Sequence, residues 1–141
     1  MPHLQSPEIQ AFATGFPLTL LHAGVTILLL AAAAVAYIML TPHREIALVR
    51  EGNVAAALSL GGVLVGLALP LSVSLKASSS TIEIAIWGLS TVVVQLLVFR
   101  VVDALLHGLP QRIQDGEISA ATLLVGAKLS TALILAAAFS G

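Results

Sequence analysis

EGNVAAALSLGG, residues 51–62, opens on an acid, a glycine and an asparagine, and the chain then continues without a charged side chain to residue 75. About 20 helical residues cross a hydrocarbon core. A polar corner feeding an uncharged run of this length is how a chain re-enters lipid. Inside lipid every backbone amide needs an internal partner, so the run is a helix rather than an open strand.

Three more stretches match it: residues 16–40, 82–106 and 118–140. The first carries no charge, the third has Glu83 at its start and Arg100 and Asp103 near its end, and the fourth has Lys128 alone. The 141 residues are 58% hydrophobic and 9% charged, with a mean hydropathy of +1.05; a soluble domain carries roughly 25% charged residues. The expected fold is therefore an all-α integral membrane protein with four transmembrane helices. The first stretch is read as a retained helix. No Lys or Arg precedes it in MPHLQSPEIQ, and it is longer than a signal-peptide core of about 7–15 residues. A net charge of −1 gives no basic field for nucleic acid. The absence of cysteine excludes disulfides, thiolate metal sites and a cysteine nucleophile.

The opening corner is repeated. DGEISAATLLVG, residues 115–126, restates it about sixty-four positions later, aligning Gly52 with Gly116, Gly62 with Gly126, Gly24 with Gly88 and His43 with His107. Two spans separate the copies, so the expected architecture is two tandem, like-oriented helical hairpins, a parallel repeat. The segments are 1–15, an N-terminal extracytoplasmic stretch; 16–75, the first hairpin; 76–81, a short extracytoplasmic turn; and 82–141, the second hairpin. Arg44, Arg50, Arg100 and Arg112 lie on one side of the spans and Lys76 on the other. The positive-inside rule then places the corners in the cytoplasm and both termini outside.

Each corner has a capping explanation. Gly52 and Gly116 permit the backbone that ends one segment before the next starts, Asn53 suits a helix N-cap, and Glu51, Asp115 and Glu117 place negative charge where the helix dipole favours it. The functional alternative is an acidic mouth that concentrates cations. One turn deeper, Gly62 and Gly66 form a GxxxG, echoed by Gly126 and Ser130, and Ser59 extends the stripe. Small residues at i and i+4 let helix backbones approach closely, either within the bundle or across a homo-oligomer seam.

Lys128 falls about ten residues into the fourth span, roughly 15 Å from its start. A lysine at that depth is costly and by default a functional candidate. Gln95 has the same depth on the third span, and Gly88, Thr91 and Gln95 share a face at i, i+3 and i+7, which is expected to turn toward Lys128. Arg100, Asp103 and His107 share another face. They form either an intrahelical Arg–Asp pair near the headgroups or, with Asp103 inward, part of a polar path ending at Lys128. Histidines 43 and 107, at loop edges without supporting carboxylates, do not make a metal or haem site; no metal or cofactor is expected. No phosphate loop, HExxH or nucleophile elbow is present, and the chain is not read as an enzyme.

The stretches REGNVAAALSLGGVLVGLALPL (50–71) and IWGLSTVVVQLLVFRVVDALL (86–106) closely resemble the YjfL-like proteins, the DUF350 (UPF0719) family of small bacterial inner-membrane proteins. The similarity spans roughly residues 17–138. It implies a duplicated pair of transmembrane hairpins in a bacterial cytoplasmic membrane and no settled activity. Gly52, Asn53, Gly62, Trp87 and Gln95 fall within the matched motifs. The chain departs from the family pattern at Glu117 and at Leu135, where an Asn is expected in each case.

Two functions of different class follow. One is an oligomeric ion or small-solute channel or transporter component whose intramembrane path runs through Lys128, Gln95, Thr91, Arg100 and Asp103. The other is a structural or accessory subunit, without transport, whose corners dock a cytoplasmic protein.

Overall fold

The computed structural model describes residues 6–41 and 44–140. Among them the chain forms six helices: α1 (Pro7–Leu40), α2 (Glu45–Arg50), α3 (Val54–Ala77), α4 (Thr81–Leu105), α5 (Leu109–Gln114) and α6 (Ile118–Ser140). Four of these, α1, α3, α4 and α6, are long and apolar enough to cross a membrane, and they imply contact with a lipid bilayer.

The first long helix starts well ahead of the apolar stretch that begins at residue 16. The Ser6 side chain caps it by accepting from the Ile9 amide, Pro7 occupies the first turn, and Glu8 follows. Proline at that position loses no helical hydrogen bond and has its φ preset. The two short helices, α2 and α5, fill loops whose mixed polarity gives no membrane-length signal. Both end in the same way. Gly52 and Gly116 have φ of 87° and 85°, the left-handed region that glycine enters without a Cβ penalty. The Gly52 and Gly116 amides donate to the Val49 and Ile113 carbonyls, and those of Asn53 and Glu117 donate to Leu48 and Arg112. That nested pair of bonds closes a helix C-terminus on an αL glycine.

Contacts fix the helix directions. The Tyr37 ring meets Phe99 with centroids 6.4 Å apart, and Leu29 lies against Gly88, so α1 and α4 run the same way. Asn53 bonds to the Ile113 carbonyl and Gly62 lies against Val125, so α3 and α6 also run together. Gly66 against Phe99 and Gly88 against Leu71 make α3 and α4 antiparallel. The α3–α6 interface is the most extensive, and it is made of small side chains: Ala55, Ala56, Ser59 and Gly62 facing Ala120 and Ala121, all buried. Close approach of this kind supplies dispersion contact where lipid offers little hydrophobic drive. Large apolar residues such as Met39, Leu97 and Ile134 point outward, suited to acyl chains rather than water.

Candidate functional site

Lys128 is 1% exposed. On a helix a long side chain leans toward the N-terminus, which for α6 is the corner end. The ammonium there meets groups from two other long helices. Its Nζ lies 2.9 Å from Asp103 Oδ1 and donates to the Tyr37 hydroxyl at 3.1 Å. It also sits 5.0 Å from the Tyr37 ring centroid and 5.5 Å from that of Phe99. The Tyr37 hydroxyl in turn donates to Glu45 Oε1 at 3.4 Å. Charge neutralisation by Asp103, a hydroxyl acceptor and two aromatic faces together compensate an amine that lipid alone would expel.

Glu45, the first residue of α2, is 5% exposed. Burial pushes its carboxyl above the ordinary glutamate range. Lys128 and the Tyr37 hydrogen bond pull the other way, and Asp103 adds to the rise. The four groups therefore form one connected polar cluster around the Lys128–Asp103 ion pair. Tyr37, Glu45 and Asp103 line a cavity of about 340 Å³ together with Thr41, Ser59, Arg100 and His107, near the corner end of the bundle.

Other residues singled out from the sequence fall in distinct places. Arg100 donates to the Leu40 carbonyl at 3.3 Å, closing the end of α1, while Asp103 goes to Lys128. Gln95 and Thr91 are fully buried, but the Gln95 amide and the Thr91 hydroxyl have no hydrogen-bond partner among the described residues. The Gln95 face is not what meets the ammonium; the lysine stem leans toward the corner end, to Asp103. At the corners Glu51, Gly52, Asp115, Gly116 and Glu117 are exposed. Asn53 accepts from the Ala56 amide at 3.0 Å and donates to the Ile113 and Gln114 carbonyls at 3.2 and 3.1 Å, bridging to the end of α5. Glu117 pairs instead with Arg112. Added Cβ atoms at Gly62 and Gly66 would fall 2.6 Å from Val125 and 2.7 Å from Phe99, whereas Gly126 has open space. Ser130 is exposed and donates to the Gly126 carbonyl. His43 lies outside the described residues.

Sequence reasoning missed Tyr37, Glu45 and Phe99. One signal was available: Tyr37 is the sole tyrosine, placed near the end of a span, and a buried tyrosine hydroxyl needs a partner.

A family model described as Domain of Unknown Function (DUF350) matches residues 11–139. The chain is 33% identical over 101 residues to the UPF0719 inner membrane protein YjfL of Escherichia coli K12, covering 72% of this chain and 76% of that protein. The protein of the same name from Escherichia coli O157:H7 aligns with the same identity and coverage. No solved structure matches the chain.

Proposed function

This chain belongs to the DUF350 family, and from that premise we propose that it is a multi-pass protein of a bacterial inner membrane that provides a polar path for an ion or small solute. The observation carrying this reading is the Lys128 ammonium, buried beside Asp103 and Tyr37 at a cavity that opens among polar side chains. A purely structural bundle has no use for a buried amine, because replacing a buried ion pair with well-packed apolar residues is often neutral or stabilising. The Escherichia coli relatives are named as inner membrane proteins. In this reading the corners face the cytoplasm and both termini lie outside. The matched corner bonds and the parallel α1–α4 and α3–α6 pairs support descent from a duplicated hairpin. The wide lipid-facing surfaces of α1 and α6 leave room for a homo-oligomer, and no catalytic role is assigned.

Proteoliposome flux tests the path. Wild type is expected to carry a proton or monovalent-ion current and Lys128→Leu to abolish it; absence of flux in wild type, or flux unchanged by the substitution, defeats the reading. The accessory alternative rests on the exposed charges at one end, Arg44, Arg50 and Arg112. Charge reversal at all three releases a co-purifying cytoplasmic protein if docking is the function, and retained binding removes that alternative.

A further inference from the structure

Beyond the Lys128 cluster, the interior holds a second polar set. Gln95 and Thr91 are 0% exposed and Ser74 is 4% exposed. Both polar atoms of the Gln95 amide and the hydroxyls of Thr91 and Ser74 have no partner among the described residues. Buried polar atoms of native proteins are nearly always satisfied, by protein or by ordered water. Ser74 also lines a cavity of about 580 Å³ with Ser78, Glu83 and Trp87. That cavity lies at the α3–α4 turn, the end of the bundle opposite the corners. Thr91 and Gln95 lie successively deeper along α4 from that end.

The next buried residue along α4 is Phe99. This residue is one helical turn beyond Gln95 and one turn before Asp103, so all three lie on one face of α4. Its ring is fully buried. It packs edge-on to Tyr37, faces the Lys128 ammonium, and rests on Gly66, where even a methyl group would collide with it. Along α4, Phe99 therefore stands between Asp103 of the charged cluster and Gln95 of the neutral polar set.

We propose that Gln95, Thr91 and Ser74 line a water-holding chamber continuous with the cavity at Ser74, and that the Phe99 ring is the gate between this chamber and the Lys128 cluster. The inference rests on reading the polar interior as a path. The chamber suits the proton. Its neutral groups on α4 are spaced about 6 Å along the axis, enough to hold single waters, but they offer no ring of oxygens to replace a metal cation's hydration shell. A proton moving along hydrogen-bonded waters breaks one O–H bond for each it forms, and needs no co-reactant.

The chain has no cysteine, so single-cysteine variants of the full protein in liposomes report water access directly. The probe is a membrane-impermeant, cationic methanethiosulfonate added to one side at a time. Thr91→Cys is expected to react from the Ser74 side alone, and Ser59→Cys from the corner side alone. Adding Phe99→Ala to Thr91→Cys raises its reaction from the corner side at least tenfold; Phe99→Val, a milder truncation, gives a smaller rise if the alanine variant does not fold. Thr91→Cys inert from both sides overturns the chamber. Reaction from the corner side with Phe99 intact, or no change with a folded Phe99 truncation, overturns the gate. These readouts need no transported species. The expected labelling without flux in wild type keeps the chamber and gate and removes the transport reading. Flux with an inert Thr91→Cys keeps the path and removes the gate.

Discussion

At residue 53 the first half of the molecule has asparagine; at residue 117 the second half has glutamate, on the same backbone corner. Asparagine offers both an acceptor and donors, so Asn53 caps its own helix and reaches across to the end of α5. Glutamate is acceptor-only when ionised, so Glu117 settles on Arg112, in its own half. The interiors diverge in the same manner. The position sixty-four residues before Lys128 is Leu64, and the one before Asp103 is Met39, both exposed. Backbone direction and corner geometry rest on glycines and apolar length, which tolerate many side chains. The chemistry rests on a few residues present in one half only.

Removing the charge partner is expected to have the largest effect. Asp103→Ala leaves the Lys128 ammonium buried without its counter-charge and costs about 3–5 kcal/mol, read as thermal unfolding in detergent. The paired Asp103→Leu, Lys128→Leu variant recovers most of that loss, whereas Met39→Ala at the equivalent position in the first half shifts the melt little. Next is the contrast between equivalent glycines. Gly62→Leu drives a side chain into Val125 and costs about 1–3 kcal/mol by overpacking, while Gly126→Leu projects into open space and leaves the midpoint near wild type. Equal losses at the two positions in the same melt would erase the asymmetry between α3 and α6.

The corner residues come third. Asn53→Ala removes a cap and two bonds to α5 and costs about 1–2 kcal/mol. Glu117→Ala removes an exposed ion pair, and such pairs contribute about 0–1 kcal/mol. Chemical denaturation of both variants side by side ranks them. The smallest effect belongs to Glu45, whose equivalent in the second half is the uncharged Leu109. Because burial raises its carboxyl in the folded state, the folded protein binds this proton more tightly than the unfolded chain does. The resulting stability is complete below the ordinary glutamate range and is lost as pH rises through the raised titration. Glu45→Gln is expected to flatten that slope in melts recorded across pH.

The long helices were legible because lipid demands about 20 apolar residues and tolerates little else. The corners were legible because a glycine followed by a capping residue has few other uses. α2 and α5 were not, since six residues of mixed polarity carry no length signal. Lys128 stood out as a cost, but its partners did not. Tyr37 precedes it by 91 residues, and depth along a helix says nothing of azimuth or of the way a lysine stem leans. Gln95 therefore matched Lys128 in depth, yet the ammonium lies at Asp103. Phe99 read as one more apolar residue, and only the packing of α1, α3 and α4 shows what surrounds it.

The Asn53 bridge also has a bearing on biosynthesis. Its amide donates to carbonyls 60 and 61 residues downstream, so the first pair of spans leaves the ribosome with a donor whose acceptors have not been translated. Membrane insertion of that pair precedes these two bonds, while the cap on the Ala56 amide is local and needs nothing made later. A later segment, α5, thus ties off the corner of an earlier one, which couples assembly to synthesis of the chain through residue 114.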